Sequence, residues 1–240
     1  MMKKLVTTFV LVSLTTLTHA QEYPNLQQDK PKYTDVNNHI FKPGTQFFYQ
    51  CVFAQEPKDT IVVTLSVLSL KKRKKTEKKE TEIGFTFSNA KNRLEQTGIV
   101  ENETNLWIHP PRTGAFKMLE LYPYPYIKHT TDSWEDMMII GGHWIDSIDN
   151  KEKIRLDFHY ENTENQAIET PLGKLACTIT EGQSIGLLGT YSLTSYYHPS
   201  YGFVRLKYHI AQNTTVDFWL VDVNSSEPIK NPLDLILKGN

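Results

Sequence analysis

Aromatic and polar residues that could bind a ligand gather in the middle of the sequence, where the strand pattern is least regular. Stiff rings beside irregular backbone are typical of a cleft rim, because rings supply contact area at little entropic cost. An arginine there can bind a carboxylate or phosphate through two parallel hydrogen bonds. The alternative is a loop layer whose rings cap the open end of a barrel. The candidate rim residues are Trp107, His109, Arg112, Tyr122, Tyr124, Tyr126, Trp134 and Trp144.

A second candidate is a dense basic run. Such a run can bind phosphorylated lipid headgroups or acidic glycans, with about 1 kcal/mol per charge near an anionic surface. It can equally be the solvated tip of a hairpin, whose charges discourage pairing with another sheet edge. Glu77 and Glu80 dilute its charge. The candidate anion-binding residues are Lys71, Lys72, Arg73, Lys74 and Lys75.

The sequence offers little for catalysis. It holds no His-Glu-x-x-His motif and no cysteine-rich motif, so we expect neither a metal site nor a cofactor. Residues 182–186 read Gly-Gln-Ser-Ile-Gly and match the pattern of a nucleophile elbow. An elbow needs a strand-to-helix turn, whereas this segment joins two strand-like stretches, so a β-turn is the better interpretation. A hydrolase that uses His109 or His143 is the least favoured function.

Two cysteines leave one pairing to consider. Export would place Cys51 and Cys177 in an oxidising compartment. They could form a disulfide that joins an early strand to a late one, worth about 3–5 kcal/mol in the chain-entropy model. They could instead be two buried free thiols that pack as small apolar residues.

Strands must position these residues, because apolar and polar residues alternate over most of the chain. Lys153–Tyr160 and Glu82–Ser88 alternate without a fault, and turn residues separate such segments at short intervals. The pattern predicts an all-β fold, a single antiparallel, strongly curved sheet or open barrel of about nine to eleven strands. Phe116–Leu121 is a candidate short strand. We expect short helical turns in the middle, over Thr131–Met138, and at the C-terminus, over residues 231–239.

The N-terminal residues are typical of an export signal. Lys3 and Lys4 precede an apolar stretch from Leu5 to Leu17, and Ala20 precedes the expected cleavage site. That stretch is shorter than the roughly 20 apolar residues that span a bilayer. We expect a periplasmic or secreted protein whose mature chain has no transmembrane segment. The expected division is a signal peptide over residues 1–20, an N-terminal arm over 21–42 and a single all-β domain over 43–240.

Composition excludes several classes of protein. The chain has 240 residues, of which 39% are hydrophobic and 22% charged, which excludes collagen-like, coiled-coil and fully disordered classes. Removing the signal with Lys3 and Lys4 changes the formal net charge from −1 to −3. No overall basic field therefore argues for a nucleic-acid partner.

Three segments resemble a family of exported bacterial all-β proteins of uncharacterised function. The resemblance covers mainly residues 41–53 and 153–223. It implies consecutive strands near the end of an open, strongly curved antiparallel barrel, and it brings no established catalytic residues. Family members usually have a glutamate after the first turn glycine, where this chain has Thr45. The segments are Phe41-Lys42-Pro43-Gly44 leading into Gln46-Phe47-Phe48-Tyr49, Pro171-Leu172-Gly173-Lys174-Leu175-Ala176-Cys177, and Tyr196-Tyr197-His198-Pro199 followed by Tyr201-Gly202-Phe203-Val204-Arg205-Leu206-Lys207-Tyr208.

These observations together predict a non-enzymatic binding protein. A curved antiparallel sheet can enclose an apolar cavity, and its mouth would lie near residues 107–144. The ligand would be a lipid or another amphipathic molecule of the cell envelope. The alternative is a protein-interaction or structural factor in envelope maintenance, which would bind a polypeptide with the same surface. A fully packed barrel interior would count against the first function.

Overall fold

A computed structural model describes most of the chain beyond the N-terminal arm. The predicted signal, the arm up to residue 38 and the basic residues Lys72 to Lys75 lie outside the described residues, and Lys71 is the last residue of a strand. The described residues are 39–54, 60–71, 80–144, 152–186, 189–210, 214–227, 229 and 232–237.

Twelve strands run through the described residues, with few helical segments between them. A 3-10 helix over Gly114–Leu121, called the plug helix below, follows the fifth strand, and a shorter one covers Gly142–Trp144. The α-helix α1 covers Asp234–Leu237, inside the predicted C-terminal helix. The strands are β1 (Thr45–Phe53), β2 (Thr60–Lys71), β3 (Glu80–Phe87), β4 (Ala90–Glu101), β5 (Asn105–Ile108), β6 (Tyr126–Lys128), β7 (Ser133–Gly141), β8 (Lys153–Thr170), β9 (Gly173–Gly186), β10 (Gly189–His198), β11 (Gly202–Ile210) and β12 (Thr214–Ser225).

The strands form one antiparallel, nearly closed barrel-shaped sheet. Each strand pairs with its neighbour in sequence, except that β6 and β7 do not pair. The first and last strands, β1 and β12, pair instead, from Thr45 opposite Ser225 to Phe53 opposite Val216. The order is β6-β5-β4-β3-β2-β1-β12-β11-β10-β9-β8-β7. The described sheet therefore has two edges, and both belong to the middle of the sequence.

Side-chain alternation explains the strands, and the all-β antiparallel prediction is confirmed. On β8, Ile154 and Leu156 are buried while Lys153 and Arg155 are exposed, as the period of two requires. The predicted strand number was wrong, since there are twelve strands rather than nine to eleven. The main omission is β4, whose inward positions include the carboxylates Glu95 and Glu101, so its alternation is hidden in the sequence.

Three local predictions were wrong, each because of tertiary contacts. The predicted helical turns over Thr131–Met138 fall largely on β7, which pairs with β8 from Ser133 to Gly141. The predicted strand Phe116–Leu121 is the plug helix, which has no strand to pair with after Pro110 and Pro111. The predicted β-turn over residues 182–186 is the second half of β9, and the chain turns after Gly186.

The two edges of the sheet overlap at a seam between β6 and β7. Ile127 faces the core, so Tyr126 lies on the opposite face of β6. Its ring nevertheless contacts Trp134 at 5.4 Å and Tyr160 at 5.5 Å, and both are buried on the inner faces of β7 and β8. The β6 edge therefore lies inside the β7 edge. Aromatic packing, not strand pairing, closes the barrel here.

The plug helix and the chain that follows it fill the barrel interior. Phe116 packs against Phe87 and Phe218, with ring centroids 5.4 and 5.5 Å apart. Tyr122 packs against Tyr191 and Tyr208 at 5.0 and 5.8 Å. A cavity of about 20 Å³ remains among apolar residues and has room for about one water molecule. This cavity is far too small for a lipid chain, which counts against an enclosed ligand site at this place in the interior.

The two cysteines are free, buried thiols in the structure, which is the second of the two alternatives. Cys51 lies on β1 and Cys177 on β9, and three strands separate β1 from β9 in the sheet. Burial raises the pKa of the Cys177 thiol to about 11, and it raises the pKa of the Cys51 thiol as well. Both are thus held in the protonated, unreactive form.

A buried carboxylate fastens the end of the N-terminal arm to the barrel. The backbone N–H groups of Ile40 and Phe41 donate to Glu101 at 2.7 and 3.0 Å. The Phe41 ring is buried 4.7 Å from that of Phe47 and lies over Gly202. A Cβ at Gly202 would come within 3.1 Å of that ring. The arm boundary predicted at residue 42 therefore falls within packed structure.

We predict that Gly182→Ala destabilises the fold. A Cβ at this position would lie 2.8 Å from Cβ of Pro123 and 2.9 Å from the Tyr160 ring, and neither can move away easily. Overpacking of this kind costs about 1–3 kcal/mol in the free energy of unfolding, measurable by chemical denaturation. The neighbouring exposed Gln183→Ala is the control and should change stability by less than about 0.5 kcal/mol. Equal stability of the two variants would contradict this account of the overlap.

Candidate functional site

The structure brings together five of the eight predicted rim residues. The ring of Tyr124 lies 5.5 Å from that of Trp107 and 4.7 Å from that of His109. Arg112 lies over the ring of Trp144 at 5.4 Å. The other three lie elsewhere, since Tyr126 and Trp134 pack in the seam and Tyr122 points into the interior.

Polar side chains within this group form a buried cluster, which we call the polar cluster. Glu95 comes from β4, His109 and Arg112 from the chain after β5, Glu120 from the plug helix and Tyr124 from the Pro-rich segment before β6. Glu95, Glu120 and Tyr124 are buried, while Arg112 is one-third exposed. Strand pairing brings Glu95, His109 and Arg112 together, because the chain that follows β5 continues alongside β4. There the His109 N–H donates to the Gly98 carbonyl at 3.1 Å.

Glu95 holds the loop that follows β5. Its carboxylate accepts the backbone N–H of Arg112 at 2.9 Å and the hydroxyl of Thr113 at 2.9 Å. Burial raises the pKa of this carboxyl, and these hydrogen bonds oppose the rise. Glu95 therefore has a structural task, which is to anchor the backbone that carries Arg112.

His109 is a neutral hydrogen-bond acceptor. Its Nδ1 lies 2.9 Å from the Pro110 carbonyl, and a carbonyl only accepts, so Nδ1 carries the hydrogen. Burial lowers the imidazole pKa to about 4, with a contribution from the nearby Arg112 charge and against the opposing effect of the hydrogen bond to the Pro110 carbonyl. The free lone pair of Nε2 then accepts from the Tyr124 hydroxyl at 3.2 Å and from Arg112 Nη1 at 3.3 Å.

Glu120 is the least satisfied member of the polar cluster. Its Oε2 is buried without a hydrogen-bond partner and lies 3.6 Å from His109 Nε2, while Oε1 lies 3.6 Å from Arg112 Nη1. Because the imidazole is neutral, the contact with His109 is not an ion pair. Burial raises the pKa of Glu120, the Arg112 charge and the nearby Tyr124 hydroxyl oppose the rise, and the charge on Glu95 adds to it.

Arg112 acts as the internal counter-ion of the cluster. Its Nε lies 3.6 Å from Glu95, and Nη1 lies 3.6 Å from Glu120. Two carboxylates therefore compete with any ligand for the two-point binding expected of this arginine. Within the described ranges, no group of three or more His, Cys, Asp or Glu residues is placed to hold a metal ion.

The geometry does not favour the hydrolase alternative. In a catalytic triad, the histidine Nδ1 donates to a carboxylate and Nε2 faces a serine or cysteine nucleophile. Here Nδ1 of His109 donates to a carbonyl, and Nε2 faces the phenol of Tyr124 and the guanidinium of Arg112. Burial raises the pKa of Tyr124 far above its ordinary value, so this phenol stays protonated.

Several half-buried side chains give the seam a surface that a partner can reach. Trp107, Arg112 and Trp144 lie on one side of it or across its end. Asp136 and Met138 are on the inner face of β7, yet they are also half exposed, because β6 covers only part of that strand. Aromatic, thioether and carboxylate side chains are thus partly exposed near the two sheet edges.

Glu95 and Glu120 are the members of the site that the sequence analysis missed. A signal for Glu120 is present in the sequence, since it is a lone carboxylate in the apolar run Met118-Leu119-Glu120-Leu121-Tyr122. A buried carboxylate in such a run needs a partner, and Arg112 was the only cation among the predicted rim residues. Glu95 lies in a polar stretch and carries no such signal.

Comparisons with known proteins concern the fold. No protein-family model matches the sequence, and no curated protein matches it significantly. Solved structures with a similar fold include a protein from Bacteroides fragilis described as exported and YmcC-like in fold, with 15% identity over 77% of this chain and 97% of that one and a TM-score of 0.47. Another is described as a lipoprotein from Parabacteroides distasonis, with 13% identity over 77% and 96% of the two chains and a TM-score of 0.46.

A third similar structure is the lipoprotein YmcC from Escherichia coli, with 10% identity over 79% of this chain and 91% of that one and a TM-score of 0.37. These neighbours are described as exported proteins or lipoproteins. Among the helices of the described residues, none has the length and apolar character needed to cross a bilayer.

We predict that Glu120→Gln stabilises the protein at neutral pH and has little effect near pH 4. The folded state raises the pKa of Glu120, so it binds the proton more tightly than the unfolded chain does, and stability falls as the pH rises above the ordinary carboxyl pKa of about 4.3. Glutamine does not ionise, so it carries no charge at either pH. Urea denaturation at pH 4 and pH 7 measures the difference, with the exposed Glu103→Gln as control. An equal effect of Glu120→Gln at both pH values would show that folding does not raise the pKa of Glu120.

Proposed function

We propose that this chain is an exported, non-enzymatic binding protein that holds an amphipathic ligand at the seam rather than inside the barrel. The observation that carries the proposal is the row of half-buried rings, Trp107 and Trp144, beside the polar cluster. Export rests on the signal-like sequence of residues 1–20.

The packed interior moves the binding surface to the outside. A lipid chain needs a cavity far larger than about 20 Å³, which is the size of the space among the interior residues. The seam offers apolar area without such a cavity, because Met138 and the two tryptophan rings are only partly covered. The apolar part of the ligand would lie against these side chains.

The charges at the seam indicate what head group would accompany that apolar part. Glu95 and Glu120 already compensate Arg112, and Asp136 adds a third acidic side chain at the opening. A ligand carboxylate or phosphate would have to displace one of these acids. A cationic or hydroxyl-bearing head group fits better, since it can approach Asp136 and the faces of the tryptophan rings.

Tryptophan fluorescence tests this proposal with three single-chain detergents, each below its critical micelle concentration. Dodecyltrimethylammonium and dodecyl maltoside are expected to shift the emission saturably, and dodecyl sulfate should bind more weakly. The double variant Trp107→Phe with Trp144→Phe should lose the response. The matched control is Trp219→Phe, because Trp219 lies on β12, where it stacks on Arg205 at 4.1 Å.

Two results would contradict the proposal. One is the absence of a saturable response to all three detergents. The other is a response that the seam double variant retains and Trp219→Phe abolishes. Native mass spectrometry of the protein purified after export gives an independent reading, in which an amphipathic molecule should co-purify with the wild type and be lost from the seam variant.

A further inference from the structure

Three aromatic rings pack together at the seam, with a lysine ammonium over two of them. Trp134 stacks on Tyr160 at 5.2 Å with the ring planes 7° apart, and Tyr126 meets both rings nearly edge-on. The Lys128 ammonium lies over the Tyr126 ring at 5.6 Å and over the Trp134 ring at 6.0 Å. We call the three rings the ring box. Because ring faces carry negative charge density, the ring box is a place where a cation is stabilised.

The ring box stabilises the charge of Lys128 but offers it no hydrogen-bond acceptor. Among the described residues, the Lys128 ammonium contacts ring faces and makes no hydrogen bond or ion pair with a protein group. The phenol hydroxyls of the box donate elsewhere, from Tyr126 to Asn105 and from Tyr160 to the Tyr124 carbonyl. The indole N–H can only donate. A cation that has no N–H donors therefore suits the ring box better than lysine does.

An acidic side chain lies beside the ring box. Asp136 follows Trp134 by two positions on the inner face of β7 and is half exposed. Burial raises the pKa of Tyr126 to about 12, and the charge on Asp136 adds to the rise. Burial and the same charge raise the pKa of Tyr160. The carboxylate is thus close enough to both phenols to act on them, and it increases the attraction of this place for a cation.

The order of side chains along β7 gives the ligand a direction. Trp134, Asp136 and Met138 occupy successive inward positions, which are about 7 Å apart along a strand. An aromatic group, a carboxylate and a half-exposed thioether therefore follow one another. A cationic head group at Trp134 would lie beside Asp136, and its apolar chain would continue over Met138.

We propose that the ring box binds a quaternary ammonium head group, which displaces the Lys128 ammonium from the ring faces. This inference rests on the ligand site proposed above and narrows its head group to one class. A trimethylammonium group spreads its charge over methyl groups and needs no hydrogen-bond acceptor, so ring faces suffice to bind it. Lys128 is half-buried on the edge strand β6, and its flexible side chain can move into water when the head group enters.

Lys128→Met tests the proposal, because it removes the competing ammonium and keeps an unbranched side chain. Isothermal titration should show dodecyltrimethylammonium, below its critical micelle concentration, binding this variant at least about fivefold more tightly than the wild type. The affinity for dodecyl maltoside should change less than about twofold. The matched control is Lys174→Met, which removes the same charge from an exposed position on β9 and should leave both affinities unchanged. Circular dichroism confirms that the variants are folded.

Tetramethylammonium gives a reading that does not depend on an apolar chain. It should shift the indole N–H resonance of Trp134 saturably in nuclear magnetic resonance spectra, at lower concentration in Lys128→Met than in the wild type. Sodium chloride at equal ionic strength should leave this resonance in place. Asp136→Asn should weaken the binding of tetramethylammonium, because it removes the neighbouring charge.

The outcomes separate this inference from the ligand site on which it rests. If both detergents bind and Lys128→Met acts no differently from Lys174→Met, the ring box is not the head-group site, and ligand binding at the seam stands. A gain in affinity for dodecyl maltoside equal to that for dodecyltrimethylammonium would likewise overturn the inference. If neither detergent binds and tetramethylammonium leaves the Trp134 resonance unmoved, both proposals fail. A shift by tetramethylammonium without detergent binding would support the ring box and contradict the amphipathic ligand.

Discussion

Pairing between the first and last strands is the constraint on which the rest of this structure depends. Because β1 bonds to β12, the ends of the strand sequence lie in the centre of the sheet, and each half of the chain runs outward by hairpins. The edges then fall to β6 and β7, in the middle of the sequence. Hairpin neighbours form at low entropic cost, whereas the β1–β12 contact must close a loop of most of the chain. The many buried side chains on both strands offset that cost.

The overlap of the edges determines what the middle of the chain can do. A hydrogen-bonded seam would have buried the backbone and left the outer face of β6 in water. In the overlap, β7 and β8 cover that face. Tyr124, which lies just before β6, is buried there, and its carbonyl accepts the Tyr160 hydroxyl. Polar groups trapped there must find partners within the protein. The polar cluster meets this requirement through contacts among Glu95, His109, Arg112 and Glu120. The neutral form of His109 is the clearest consequence.

Because the plug helix fills part of the barrel, the proposed ligand surface lies at the seam. The same rings that the sequence offers as a cleft rim are divided between interior packing, the seam and the half-buried opening. Tyr122 is buried deep in the barrel, whereas Trp107 and Trp144 remain partly accessible. The overlap also leaves the outward side of β7 bare, since nothing in the described sheet pairs with it. The overlap of the two edges thus produces the proposed ligand surface.

The sequence by itself determined the class of fold, because strict alternation such as that of Lys153–Tyr160 specifies a strand with one buried face wherever it occurs. It also identified the segment of the site, since Trp107, His109, Arg112, Tyr124 and Trp144 do converge. It could not reveal β4, whose inward face carries Glu95 and Glu101, nor the strand character of Ser133–Gly141, which depends on β8. Only the tertiary structure decided that the interior is packed, that the cysteines are apart and that Glu120 meets His109. Those outcomes depend on which strands lie at the edges of the sheet. Pairing between strands that are distant in sequence determines the edges, whereas periodicity along the chain indicates only which face of each strand is buried.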